Sequence, residues 1–345
     1  MQLYNTVPQR TTVLAIRGML KYAEAIKTLS DFGSQEQIPT NKADTVVFRR
    51  PVPIDASSNG APVVTATDYL LTEGTTPAPK TLSYQDVSVT LQQWGVLMKM
   101  STKAAILYED NIPQDMQKVV GQHMATIEEM ICYGVVRGGT NVVYAGGVSA
   151  RSSVASGISL TMLRKSARIL EKAHAMKVTK RLKSGPNFGE SSVEPSYIVF
   201  IHTDLEADVR NIAGFTPKVD YGSGSEAHAR EVGAVENFRF ITSPYFRPWL
   251  QAGATVATGT YLTNGASGNA AADVYPFMVV AEDAWGQVAV KGYGSVDPVY
   301  LPPQQKNHAN PMGQFGYVGA TFWKNAVRLN ENWIVRGECA ASVQE

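Results

Sequence analysis

A chain of 345 residues, 44% hydrophobic and 18% charged, is long enough for about two domains and apolar enough to bury real cores. Its net charge of +1 gives no global attraction to nucleic acid or membrane, and its longest clean apolar run, Tyr275–Ala281, is too short to span a bilayer. Two cysteines, Cys132 and Cys339, form no disulfide framework and read as free thiols of a reducing compartment.

Residues 1–44 read as an arm. One helical patch, roughly Thr12–Leu29, lies between polar ends, and Arg10 and Arg17 inside the only apolar patch argue against a signal peptide. Thr45–Ser101 follows with two runs of strand character. Val46–Ala66 is broken by Pro51, Pro53 and Pro62. In Leu82–Met100, Val87, Val89 and Leu91 alternate with Ser88, Thr90 and Gln92. Between them, LLTEGTTPAPK has nothing to bury. Prolines at this density exclude a helix and a central strand, so the form that fits is a long two-stranded hairpin. Arms of about 15 residues would reach roughly 50 Å. An isolated hairpin is marginal in water, so it needs a surface to lie on, and another copy of the chain is the simplest source of one.

Ser101 caps a short helix, Thr102–Tyr108. The strongest helix follows, Ile112–Arg137. Ile112, Met116, Val119, Val120, Met124, Ile127, Met130, Ile131 and Val135 make an unbroken stripe of period 3.6. Asn111 and Gln114 read as a capping box, Pro113 sits in the first turn, and Gly138-Gly139 ends the helix. A helix of that length, about 39 Å, is a strut. Ser159 or Thr161 starts another helix, to about Val178, with Leu163, Ala167, Leu170 and Ala173 on one face. Lys180–Pro195 reads as a charged loop and Tyr197–Ile201 as a buried strand. Thr203 and Glu206 read as a capping box for a helix Asp204–Ile212, and Gly214–Ala234 as irregular. Phe238–Thr242, Pro276–Ala281 and Gln287–Lys291 read as short strands. Phe315–Cys339 holds two longer strands around Asn330-Glu331-Asn332. Strands and separated helices in this mixture predict an α+β fold.

No catalytic constellation stands out. No two of His123, His174, His202, His228 and His308 have ligand spacing. His202 with Asp204 and Asp208 has metal-ligand chemistry, but a strand end followed by a capped helix with acids in its first turn explains the same residues. Gly222-Ser223-Gly224 lacks the strand and the Lys-Ser/Thr of a phosphate loop. Cys132, at the edge of the helical stripe, reads as a buried small hydrophobe. The sequence therefore predicts no catalytic, cofactor or metal site.

Charge is segregated, however. Arg151–Lys183 has nine Lys/Arg against Glu171, a net of 9 − 1 = +8. Glu190–Glu236 has nine acids against Arg210, Lys218 and Arg230, a net of 3 − 9 = −6. A basic helix can serve nucleic acid. The lack of interleaved aromatics and the acidic stretch that follows favour pairing within or between subunits.

The order of parts resembles the major capsid proteins of tailed bacteriophages, in the Hong Kong 97-type fold. Its motifs are similar to the branch typified by coliphage N-four. The resemblance rests on Arg50-Pro51, on Leu71–Pro77 (LTEGTTP), on Gln93-Trp94-Gly95 and Ser101, and above all on Arg137–Gly146 (RGGTNVVYAG). Glu231-Val232-Gly233, Phe238-Arg239-Phe240, Tyr275-Pro276 and Gly316–Trp323 with Lys324 continue it. Where that branch has an Asp in the long helix, this chain has Glu128-Glu129.

The resemblance implies an N-terminal arm at 1–44 and an extended hairpin, the E-loop, at 45–101. It implies a P domain with the spine helix at 102–157, an A domain at 158–300, and C-terminal strands at 301–345 that return to the P and A domains. It further implies hexamers and pentamers in an icosahedral shell around double-stranded DNA bound without sequence specificity. Other copies, a portal protein, a scaffolding protein and a decoration protein would be the partners, with no membrane. The shell would assemble in the host cytoplasm and end in the virion. The expected contact residues between subunits are Arg49, Arg50, Glu73, Lys80, Arg164, Lys165 and Arg168. A cellular nanocompartment shell of the same fold is the alternative.

Overall fold

The structure, a computed structural model, describes residues 27–57, 60–107, 112–183, 189–221, 226–257, 259–264, 270–292, 296–306, 308 and 310–344. In chain order its strands are β1 Ser34–Ile38, β2 Thr45–Val52, β3 Ser83–Thr90, β4 Gln93–Ser101, β5 Val142–Tyr144, β6 Val178–Lys183, β7 Gly189–His202 and β8 Phe215–Pro217. They continue with β9 Glu231–Val235, β10 Phe238–Ser243, β11 Val274–Val280, β12 Trp285–Val290, β13 Asp297–Leu301, β14 Phe315–Arg328 and β15 Ile334–Ala340. The chain divides into two units. One comprises Met1–Val46, Val89–Tyr133 and Gly286–Val327, the other Val47–Ser88, Gly134–Trp285 and Arg328–Glu345.

In the first unit, β1, β12, β14 and β13 lie side by side, and β4 also pairs with β14, antiparallel from Gln93↔Trp323 to Ser101↔Phe315. The long helix runs Ile112–Arg137 as the periodicity predicts, with Pro113 in its first turn. Asn111, the expected cap, lies outside the described residues. Met116, Val120 and Met124 of this helix pack on Met100, Val318, Ala320 and Phe322 of the sheet. Val119 belongs to the sequence stripe yet is exposed. Cys132 is buried and free, and burial foremost pushes its thiol up to about 12. Of the predicted arm helix, the described part holds only a 3-10 turn, Leu29–Asp31. The short helix is Thr102–Leu107, and Tyr108 lies outside the described residues.

The second unit is built on an eight-stranded sheet among the described residues, in the order β5-β15-β11-β7-β10-β9-β8, with β6 on β7. Val199, Ile201, Phe238, Phe240, Phe277 and Val279 form its core with Leu163, Leu170, Leu205 and Val209 of the helices. Pro276 sits in a central strand, which its missing N–H would normally forbid. It is tolerated because β7 pairs only with Met278–Val280, so the Pro276 half of β11 has β15 as its ladder partner. Gly337 faces Phe277 across β11 and β15, and a Cβ there would lie 2.0 Å from the ring. No side chain fits that position.

Three local expectations change. The helix begun at Ser159, whose Oγ accepts from Met162 N, ends at Lys172 instead of near Val178. His174 takes φ 52°, in the left-handed region, and Ala175 N bonds back to Leu170 O, which stops the helix before β6. Of the supposed loop Lys180–Pro195, residues 184–188 lie outside the described residues and the rest belongs to β6 and β7, which pair antiparallel; the register shift between Val178 and Lys180 accommodates Pro195 without asking it for a ladder donor. The helix after His202 is a 3-10 turn, Thr203–Leu205, followed by Glu206–Arg210. Its cap is His202, whose Nδ1 accepts from Asp204 N at 3.1 Å, in place of the expected Thr203 box. β8 and β9 occupy part of the stretch 214–234 that reads as irregular.

Candidate assembly surfaces

The extended hairpin is a two-stranded ribbon of β2 and β3. Thr45 and Thr90 hydroxyls meet at 3.1 Å, Arg49 grips Asp86 through two 2.7 Å bonds, and Arg50 Nε and Nη2 donate to Gln85 Oε1 at 3.0 and 2.6 Å. The pairs run in opposite order along the two strands, so the ribbon is antiparallel. Its arms have eight residues each, about 26 Å at 3.3 Å per residue, half the reach read from the sequence. The return arm read as Leu82–Met100 divides at Leu91-Gln92. Beyond that point the chain joins β14 as β4.

Every residue from Pro62 to Asp86 is exposed. Leu70 and Leu71 are 81% and 71% exposed, and Val63, Val64 and Leu82 are each more than half exposed. Apolar exposure of this kind is a feature that binding surfaces share. The tip nevertheless has polar ties that the sequence reading missed. Lys80 Nζ bonds to Asp55 and lies 2.7 Å from the Tyr69 hydroxyl and 4.5 Å from the Tyr69 ring centroid, and Tyr69 bonds to the same Asp55 carboxylate. Asp55 has φ 57°, which an aspartate tolerates in a turn. Glu73 is exposed at the tip.

On the helix Leu160–Lys172, Met162, Leu163, Ser166 and Leu170 face the core, while Arg164, Lys165 and Arg168 are exposed. Arg164 Nε sits 3.0 and 3.3 Å from the two Glu236 oxygens, and its Nη2 also bonds to that carboxylate. One member of the basic stretch thus pairs with the acidic stretch inside the chain. Lys165 and Arg168 extend the same exposed face.

The end of the long helix and the start of the run Arg137–Gly146 are fastened by side chains distant in sequence. Arg328 Nη1 donates to Val135 O at 2.9 Å, Thr140 N donates to Glu331 Oε1, and Asn141 Nδ2 donates to Glu331 O at 3.0 Å. Glu338, fully buried, takes Arg151 through bonds of 2.7 and 2.8 Å and has Arg336 Nε at 2.9 Å in an ion pair of poor hydrogen-bond alignment. Arg137 and Arg151 lie over the Trp249 ring at 3.9 and 3.6 Å.

His202, Asp204 and Asp208 are committed elsewhere. Asp204 Oδ2 accepts from the Tyr275 hydroxyl at 2.8 Å and Asp208 Oδ2 from Ser342 N at 2.9 Å. Burial foremost holds His202 below the usual imidazole range. Among the described residues, no three or more His, Cys, Asp and Glu stand together as a metal site, and no helix is long and apolar enough to cross a membrane.

The model of the phage capsid protein family matches residues 84–302, more than half of the chain. No protein of curated function matches the sequence. Among solved structures, the chain is similar to the capsid of Ralstonia phage GP4, with TM-score 0.62 and 10% identity over 90% of this chain and 87% of that one. It is similar to the head of Helicobacter pylori bacteriophage KHP40, with TM-score 0.57 and 8% identity over 90% and 88%. Cyanophage Pam1 capsid gives TM-score 0.57 and 11% identity over 88% and 87%. Identities this low speak for the fold, which is α+β of the Hong Kong 97 type. The chain belongs to the phage capsid protein family.

Proposed function

We propose that copies of this chain assemble as hexamers and pentamers into an icosahedral shell around double-stranded DNA, with a portal at one vertex and separate scaffolding and decoration proteins. The role is structural rather than catalytic, and the protein ends in the virion after assembly in the host cytoplasm. The observation that carries this reading is the family match combined with a ribbon tip whose aliphatic side chains are left exposed among the described residues. The motif set supports the branch typified by coliphage N-four. The parts are assigned as an arm at 1–44, E-loop at 45–101, P domain at 102–157, A domain at 158–300 and returning C-terminal strands at 301–345. Arg49, Arg50, Glu73, Lys80, Arg164, Lys165 and Arg168 are the proposed contacts with neighbours. Sedimentation of the purified protein tests the reading. Particles orders of magnitude heavier than one chain are expected, and a stable monomer under all assembly conditions would contradict it.

Covalent joining of neighbours through Lys80 is not expected, because its ammonium is already engaged by Asp55 and Tyr69. Mature particles boiled in denaturant should run as a single monomer band. A ladder of oligomers would overturn this.

The triple substitution Arg164→Glu, Lys165→Glu and Arg168→Glu should reduce assembly at low salt, with partial recovery as salt screens the new repulsion. Light scattering across a salt series reads this. Normal assembly with loss of DNA retention alone would assign the helix to nucleic acid.

A further inference from the structure

Within the first unit, two adjacent carboxylates of the long helix hold residues 27–30 of the N-terminal arm. Glu129 is fully buried. Its Oε1 accepts from Leu29 N at 2.7 Å and from the Thr28 hydroxyl, and its Oε2 from Thr28 N, Ser30 N and Ser30 Oγ at 3.2, 3.3 and 3.4 Å. Thr28 does not cap the turn Leu29–Asp31 with its own side chain, so a carboxylate some hundred residues away does so instead. Glu128, its neighbour, binds Lys27 Nζ at 2.9 Å and also Lys324 Nζ. Burial pushes the Glu128 carboxyl up, but Lys324 and Lys27 more than offset it and hold it below the usual range. Gln287 Nε2 closes the set with a 2.9 Å bond to Ser30 O.

We propose that Glu128 and Glu129 form a latch that fixes residues 27–30 of the arm to the long helix, and that it opens as a unit without unfolding the sheet and helix that carry it. Leu29 is the one large hydrophobe buried in the latched stretch 27–31, so the attachment is polar and concentrated on two side chains. A buried carboxylate stripped of its donors is strongly disfavoured. The latch therefore has two states, one with every donor on Glu129 and one with water in their place. Of the two lysines on Glu128, Lys27 leaves with the arm and Lys324 stays. The consequence for assembly rests on the shell reading: an arm must start from a fixed point to reach a defined neighbour.

Hydrogen exchange read by mass spectrometry on unassembled full-length subunits tests this. In the wild-type chain the amides of Leu29 and Ser30 should be protected. In Glu129→Gln, whose amide group turns donors toward donors, they should exchange faster by about tenfold or more, while peptides covering Tyr197–Ile201 and Met116–Met124 keep their protection. Lys27→Met, which removes only the arm's own ion pair, should shift the same amides in the same direction by less. This variant carries the test if Glu129→Gln does not fold. Unchanged exchange at Leu29 and Ser30 in the variant that folds would overturn the latch. Simultaneous loss of protection at Met116–Met124 would also overturn it, by making the carboxylate part of a single cooperative core. Absence of shells from the wild-type chain would instead count against the proposed function, since exchange is read before assembly.

Discussion

A chain lacking residues 68–81 should fold normally and fail to close shells. Every residue from Pro62 to Asp86 is exposed, so the deletion removes almost no burial from its own subunit. Joining the shortened ends is cheap, because loop-closure entropy changes by only about 0.6 kcal/mol per doubling of loop length. Losing Tyr69 and Lys80 frees Asp55, which is itself exposed and readily hydrated. Circular dichroism should therefore show near-native helix content. Leu70 and Leu71 would go with the tip, and any contact they make with a neighbour is repeated at every copy, so a modest loss per subunit becomes decisive. Soluble subunits or loose capsomers are expected in electron micrographs. Normal closed shells would show that the tip is no tie between subunits, and an unfolded product would show that it belongs to a core.

The substitution with the largest expected effect on stability is Glu338→Ala. Glu338 has no exposure and is the common partner of Arg151 and Arg336, which are partly buried beside Trp249. Removing one side of a buried ion pair leaves an uncompensated charge and costs about 3–5 kcal/mol. Domains have only about 5–15 kcal/mol in total, so much of the margin disappears. Denaturant unfolding of unassembled subunits reads this directly. Glu206→Ala, which breaks an exposed pair with Arg210, is the control and should change stability by less than about 0.5 kcal/mol. Equal effects from the two variants would mean that Glu338 does not bind the helix exit to the sheet.

Much of this architecture is visible in the residues because its signals are local. The Ile112–Arg137 stripe is continuous and bounded by Pro113 and Gly138, so both ends of the helix can be read. Tyr197–Ile201, Phe238–Thr242 and the strands flanking Asn330–Asn332 are short apolar runs between breakers, and each lies within or close to an observed strand. What stayed hidden is what depends on a distant partner. In Leu82–Met100 the apolar positions shift from 87, 89 and 91 to 94, 96, 98 and 100 across Gln92-Gln93, but that one half pairs with β2 and the other with β14 stays hidden, because alternation gives a face and not a neighbour. The end of the second helix turned on the left-handed conformation of His174, for which histidine is a weak signal. Among the contact candidates, the Arg164 partner could be foreseen as acidic, but not as Glu236. Glu129, inside an apolar helical run, gave no sign that residues 28–30 would supply its donors. The tie of Lys80 to Asp55 crosses the ribbon and was likewise unreadable from spacing.

Electron cryomicroscopy of the assembled protein purified from producing cells tests the central claim most directly. Closed icosahedral particles with five- and six-fold capsomers are predicted, with residues 68–81 of each subunit lying on an adjacent subunit and Leu70 and Leu71 covered there. A stable, unassembled species, or particles in which residues 68–81 touch only their own chain, would contradict the account.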